Sequence, residues 1–127
     1  AGASEEIDNG KIAAEADARL NGGKTSSTGT GYINSLRLRA HAPAVGSCTL
    51  QDILDERARE LYFEGLRRTD LIRYGYYGGE NSGKYLWEWK GGSQNGASLP
   101  AFRNLFAIPS SDITANPNLQ GHQNEGY

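Results

Sequence analysis

The sequence predicts a mainly α fold, with a tetratricopeptide-like helical scaffold, long irregular loops and an extended C-terminal tail. Two observations support this prediction. Apolar residues recur at the three- and four-residue steps of a helix as far as Gly75. Beyond Gly75 this periodicity is lost, and Gly, Asn, Ser and aromatic residues dominate a stretch that three prolines interrupt. We therefore predict helices and a loop over 1–48, a long helix pair over 49–75 and a loop-rich tail over 76–127.

Residues 11–20 are predicted to form the first helix. The segment is rich in alanine and other good helix formers, and an Asn-Gly-Gly sequence ends it. Helical spacing places Ile12, Ala16 and Leu20 on one side, which we expect to be the packing face. The small, polar residues 21–31 that follow are typical of a loop or linker. A phosphate-binding loop fits them less well, because the glycine spacing differs and no strand precedes them.

The second helix is predicted over 32–42. Its apolar residues Ile33, Leu36 and Ala40 recur on one face, and Pro43 lies just beyond its end. Two such helices with alanine-rich contacts indicate a tetratricopeptide-like hairpin, although one pair does not establish a repeat.

The strongest helical signal lies in 49–75. Thr49 is a natural N-cap, and Asp52 completes an acidic variant of the capping box. Gly65 interrupts the apolar stripe that follows, which predicts a kink or a close approach between helices. The stripe consists of Leu50, Ile53, Leu54, Ala58, Leu61 and Tyr62, and then of Leu66, Leu71 and Ile72.

Alternating aromatic residues mark the tail. Tyr85, Trp87 and Trp89 predict a short extended segment with its rings on one face. Aromatic rings pack against the C–H faces of sugars, so these three residues are candidates for carbohydrate binding. The competing interpretation, which the residues by themselves favour, is that the rings fill a core short of aliphatic side chains. Farther on we expect an extended stretch over 105–108 and one turn over 110–114.

Composition and charge exclude several classes of protein. The net charge is −2, which argues against nucleic-acid binding driven by phosphate contacts and against a polybasic membrane patch. No stretch approaches the roughly 20 apolar residues that a membrane-spanning helix needs. The first ten residues have neither a basic start nor an apolar run, so we expect no signal peptide in this chain.

Three glutamates share one face of the predicted long helix. Glu56, Glu60 and Glu64 recur every four residues, and paired carboxylates can act as acid and base in glycoside hydrolysis. Because arginines alternate with them, we interpret this face as salt-bridged and structural. His41 and His122 are far apart and match no zinc pattern, so we expect no metal site, no cofactor and no catalytic residue.

The apolar core is predicted to be small. Leu, Ile, Val and Phe together supply 23 of the 127 residues, below the roughly 20% at which disorder becomes a concern, while 17 residues are Gly. We therefore expect this chain to be a piece of a larger protein or to lie against a partner. Cys48 is the single cysteine, cannot form a disulfide within the chain and is expected to be a small buried or loop residue.

The segments ILDERARELYFEGLRRTDLIRYG (53–75) and LFAIPSSDITANPNL (105–119) are the most distinctive of the chain. In this order they resemble the C-terminal signature of the SusD/RagB family of outer-membrane nutrient-binding lipoproteins. The segment 15–40 resembles the last tetratricopeptide-type helices of that family, and YLWEWKGG (85–92) resembles its starch-binding branch. The resemblance implies that 1–127 is the C-terminal part of such a domain.

The resemblance also implies a function. A protein of this kind captures a starch-like polysaccharide or oligosaccharide at the bacterial outer-membrane surface and delivers it to a TonB-dependent SusC-type transporter. It breaks no bond, and it contacts the membrane only through a lipid anchor, which we expect to lie outside this chain. The alternative is a structural or protein-interaction domain that contacts the transporter without touching the glycan.

Overall fold

A computed structural model describes residues 2–127, with side chains described from Asn9 onward. Over these residues the fold is mainly α, as predicted, and its extended pairing is limited to one antiparallel bridge between Lys24 and Thr49. The α-helices are α1 (Gly2–Leu20), α2 (Ser27–Arg39), α3 (Leu50–Glu60), α4 (Arg67–Arg73) and α5 (Ser110–Ala115). Short 3₁₀ turns lie at Ser82–Lys84, Lys90–Gly92, Ala101–Asn104 and Pro117–Leu119. Among the described helices, none combines the length and the apolar character needed to cross a membrane.

The chain divides into two compact units, one that ends at Arg67 and one from Arg68 to Tyr127. In the first unit α1 packs against both α2 and α3. The small core between these helices contains Ala14, Ala18, Ile33, Cys48 and Ile53, with Val45 and Leu50 packed against it.

The predicted packing face of the first helix is wrong. Ile12, Ala16 and Leu20 are exposed, whereas Ala14 and Ala18 are fully buried. The small alanine side chains allow α2 to approach α1 closely, and this contact decides which face of an alanine-rich helix turns inward. Helical spacing alone could not separate the two faces, because both of them carry apolar residues.

The second helix begins at Ser27, so the end of the loop predicted over 21–31 is in fact helical. The Asp17 carboxylate on α1 accepts hydrogen bonds from the backbone N–H of Ser26 (2.7 Å) and from its hydroxyl (2.6 Å). Gly29 lies directly against this carboxylate, and a Cβ at that position would collide with it. Ser26 is the N-cap of α2, and its hydroxyl accepts from the N–H of Thr28 (3.2 Å). A side chain from a neighbouring helix thus holds this N-cap, and glycine is needed at position 29 for the close approach.

The third helix begins as predicted. The Thr49 N–H donates to the Asp52 carboxylate (2.8 Å), and the Asp52 N–H donates to the Thr49 hydroxyl (3.2 Å), which completes the capping box. Ile53, Leu54 and Leu61 of the predicted stripe are buried, but the stripe fails at Tyr62, which is exposed.

The interruption at Gly65 is a complete break rather than a kink. Helix α3 ends at Glu60, and both Phe63 (φ 67°) and Gly65 (φ 74°) adopt left-handed backbone conformations before α4 begins at Arg67. A left-handed residue cannot continue a right-handed helix. The predicted long helix pair is therefore two short helices joined by a turn.

The C-terminal tail folds back on itself through polar side chains. The Gln123 amide accepts from the N–H of Ile108 (2.8 Å) and donates to its carbonyl (2.9 Å), and the Asn124 amide donates to the carbonyl of Phe106 (2.7 Å). Helix α5 covers the predicted turn, and Asn116 caps its end. The extended stretch before α5 is thus held without a sheet.

Candidate functional site

The segment 85–92, which we call the aromatic turn, is not extended along its whole length. Its backbone turns at Glu88 and Trp89, and Trp89 adopts a left-handed conformation (φ 66°, ψ 7°). The Lys90 N–H donates to the carbonyl of Trp87 (3.1 Å), which closes the turn. The expectation of one extended segment with its rings on one face is therefore wrong, because alternation in the sequence cannot reveal a left-handed residue.

The three candidate rings lie in different environments. Tyr85 is half-buried and stacks on Tyr76, with 5.4 Å between ring centroids. Trp87 stacks on Tyr77 at 6.5 Å. Trp89 is 65% exposed and makes no ring contact with any of the residues that the structure describes. Tyr85 thus has a packing role, Trp87 is stacked on one side but remains 37% exposed, and Trp89 presents most of its ring to solvent.

A buried lysine holds the aromatic turn. The Lys90 ammonium donates to the carbonyls of Tyr76 (2.7 Å), Ser82 (2.5 Å) and Tyr85 (2.8 Å), so each of its three protons has an acceptor. The residue is only 1% exposed, and burial lowers the pKa of its side chain. Sequence reasoning missed Lys90, because lysine is almost always exposed and no sequence pattern marks a buried one.

Other polar contacts support the same loops. The buried Ser82 hydroxyl donates to the carbonyl of Tyr77 (2.6 Å) and accepts from the N–H of Leu99 (2.8 Å). The Asn104 amide accepts from the N–H of Gly78 (3.0 Å). Backbone geometry in this unit is therefore fixed largely by side chains that bind peptide groups.

Two cations and three aromatic rings form a connected series in the second unit. The Arg68 guanidinium lies over the rings of Phe106 (3.9 Å to the centroid) and Tyr77 (5.0 Å). Tyr77 stacks on Trp87, and the Lys90 ammonium lies 4.6 Å from the centroid of the Trp87 ring. We call these five residues the cation–aromatic column. Such contacts contribute more when the cation is shielded from water, so the buried Lys90 ammonium and the Tyr77 ring both help to hold Trp87 in place.

The glutamates of the predicted long helix do not form one face. Glu56 binds Arg37 (3.2 Å) and Arg59 (2.6 Å), as expected for a salt-bridged surface, and its hydrogen bond raises the pKa of Arg59. Glu60 lies 4.0 Å from the Lys11 ammonium. Glu64 lies beyond the end of α3, because the helix breaks before it.

The first unit also contains a cleft of about 220 Å³ beside these charges. Arg37 and Glu56 line it and neutralise each other, and Cys48 is also part of its lining. Burial raises the pKa of the Cys48 thiol, so its reactive thiolate form is disfavoured. No group of His, Cys, Asp and Glu suited to a metal ion occurs among residues whose side chains are described.

Comparison with known proteins decides the family. The profile of the SusD family matches residues 12–127. The chain belongs to the SusD family. This membership confirms the prediction made from the motifs at 53–75 and 105–119, both of which lie inside the match.

One curated relative is similar over most of the chain. The starch-binding protein SusD of Bacteroides thetaiotaomicron is 50% identical over 99 residues, which make up 77% of this chain and 17% of that protein. The match thus spans about a sixth of the length of this SusD-family relative.

Proposed function

We propose that the protein binds a starch-like polysaccharide or oligosaccharide at the bacterial outer-membrane surface and delivers it to a TonB-dependent SusC-type transporter. The observation that carries this proposal is the 50% identity to a protein named for starch binding. The SusD-family match over 12–127 supports it. In this function the protein binds its ligand and breaks no bond.

Within this chain, Trp89 is the proposed contact with the glycan. Its indole is exposed, and a flat aromatic face packs well against the C–H face of a sugar ring. Tyr85 and Trp87 belong to the same proposed surface but act mainly as support, since each is stacked on a tyrosine. Gln94 and Asn95 are exposed in the following loop and offer amide groups to sugar hydroxyls.

Binding of this kind depends little on salt. Stacking and hydrogen bonds between neutral groups are not screened by ions, in contrast to contacts between opposite charges. We therefore expect the dissociation constant for a neutral starch-type oligosaccharide to stay nearly constant as the salt concentration rises.

Isothermal titration calorimetry with starch-type oligosaccharides tests the proposal. The protein should release heat on binding, and Trp89→Ala should weaken binding by about tenfold or more, as for a central aromatic contact. Phe63→Ala is the matched control, because Phe63 is 93% exposed but lies in the first unit. Absence of glycan binding by the unmodified protein would refute the function, whereas an unchanged Trp89→Ala variant would refute only the contact.

A structural or protein-interaction role is the second candidate. The exposed rings of Tyr62 and Phe63, stacked edge-to-face at 4.4 Å in the turn after α3, favour it because large exposed apolar residues often mark contact surfaces. On this alternative, Trp87→Ala and Trp89→Ala leave glycan affinity unchanged, whereas Tyr62→Ala and Phe63→Ala abolish co-purification with the transporter.

A further inference from the structure

We propose that Lys90 is a positioning residue, whose buried ammonium holds the left-handed turn that presents the Trp89 ring. This inference rests on the proposed function, because it assigns the way in which the glycan contact is kept in place.

The first step is the conformation of Trp89. A residue with a Cβ rarely adopts a positive φ, because the side chain then approaches its own backbone. Trp89 has φ 66°, and Gly91 (φ 66°) and Gly92 (φ 81°) continue with positive values. Without outside restraint the chain at Trp89 would relax to a common conformation and turn the ring elsewhere. Some neighbouring group must therefore hold the turn.

The second step is the restraint that Lys90 supplies. Its three acceptors, the carbonyls of Tyr76, Ser82 and Tyr85, belong to separate points along the loop, and one ammonium draws them together. The same ammonium lies 4.6 Å from the centroid of the Trp87 ring. Because Lys90 is the next residue after Trp89, fixing its side chain and its backbone also fixes the direction in which Trp89 points.

The third step is that fully buried apolar side chains supply little of this restraint. In the second unit, Leu71 is the one buried hydrophobic side chain among the residues described. A buried ammonium loses its hydration, and this loss is tolerated only where hydrogen bonds replace the water. Lys90 meets this condition fully, so its burial is consistent with a role in fixing backbone geometry.

The experiment uses ¹⁹F NMR of protein labelled with 5-fluorotryptophan, together with calorimetric titration of starch-type oligosaccharides. The Trp89 resonance is assigned by its loss in Trp89→Phe. In Lys90→Met, which keeps the length of the side chain but has no donor, we expect the Trp89 resonance to shift and sharpen as the ring becomes mobile. Glycan affinity should fall by about tenfold, the size expected when a well-placed aromatic contact is lost.

Two matched variants separate positioning from general effects. Lys84→Met removes one positive charge from an exposed site in the same loop and should change neither the resonance nor the affinity. Ser82→Ala removes two hydrogen bonds of the neighbouring loop but leaves the ammonium and its acceptors in place. Ser82→Ala should lower the free energy of unfolding while keeping the Trp89 resonance in position. If Lys90 only stabilised the fold, Lys90→Met would likewise lower the free energy of unfolding without moving the resonance.

An unchanged Trp89 resonance in Lys90→Met overturns the proposal, whatever happens to affinity. A shifted resonance in Lys90→Met with unchanged glycan affinity overturns it as well. If the unmodified protein binds no glycan but the resonance still shifts, the proposed function fails while the positioning of Trp89 by Lys90 is supported. Should Lys90→Met fail to fold, Lys90→Gln, which retains two amide donors, is assessed in the same way and should give a smaller shift.

Discussion

At the scale of single residues, two buried lysines differ in how the loss of hydration of their ammonium groups is compensated. Lys90 donates to three carbonyls, whereas the Lys11 ammonium has no hydrogen-bond partner in the part of the chain whose side chains are described. Glu60, at 4.0 Å, is its ion-pair partner. Burial lowers the pKa of Lys11 to about 8, although Glu60 and Glu56 oppose this shift. A poorly compensated buried charge disfavours the folded state.

Because of Lys11, we expect the free energy of unfolding to rise with pH. Its folded-state pKa of about 8 lies below the roughly 10.4 of an unfolded lysine, so the unfolded chain binds more protons between these values. The free energy of unfolding should increase between about pH 8 and about pH 10 by this contribution. This increase should be absent in Lys11→Met, and at pH 7 the variant should be at least as stable as the unmodified protein.

Urea unfolding at pH 7 and pH 9.5 measures this difference. Lys84→Met serves as the control, because it removes an exposed lysine and should keep the pH dependence of the unmodified protein. Parallel pH dependences for the unmodified protein and Lys11→Met would show that burial does not lower the pKa of Lys11.

At the scale of elements, the N-caps of α2 and α3 are held in different ways. The cap of α3 is local, since Thr49 and Asp52 are three residues apart and bind each other. The Asp52 pKa is lowered by these hydrogen bonds from Thr49, as expected for a carboxylate held by donors. The N-cap of α2 is also local, since the Ser26 hydroxyl accepts from the N–H of Thr28, but Ser26 is itself held by Asp17 on another helix, and this contact needs Gly29 for the close approach.

This difference predicts opposite effects for two glycine-to-alanine substitutions in α2. Gly31→Ala should stabilise the fold by about 0.5–1 kcal/mol, because alanine is the better helix former and a Cβ at Gly31 meets nothing. Gly29→Ala should be destabilising despite the same gain in propensity, since its Cβ collides with the Asp17 carboxylate. Thermal unfolding of both variants measures the two changes in stability. A stabilised Gly29→Ala variant would mean that Asp17 does not hold α2.

At the scale of the whole molecule, each of the two units is stabilised by a different kind of internal contact. The first has a small apolar core of alanine, isoleucine and cysteine side chains. The second is organised by buried polar groups such as Lys90 and Ser82, and by the cation–aromatic column. The low content of aliphatic residues in the sequence corresponds to this division, because a unit built on polar contacts needs few of them.

The small core of the first unit makes each of its large side chains important. Leu61 is 7% exposed, so Leu61→Ala should lower the free energy of unfolding by about 2–5 kcal/mol. The exposed Leu38 is the control, and Leu38→Ala should change it by less than about 0.5 kcal/mol. Urea denaturation measures both variants. A loss below about 1 kcal/mol for Leu61→Ala would show that the end of α3 contributes little to the core.

The sequence by itself determined the features that depend on neighbours along the chain. The mainly α class, the capping box at Thr49, the turn of α5 and the SusD family all follow from local patterns or from motifs read in order. Each of these signals is carried by residues a few positions apart, where spacing alone specifies which groups can meet.

Only the tertiary structure decided the features in which distant residues meet. The inward face of α1, the contact of Asp17 with Ser26 and the burial of Lys90 all depend on contacts between segments that no spacing reveals. The left-handed turn at Trp89 belongs to this group, because local preferences disfavour a positive φ at a residue with a Cβ.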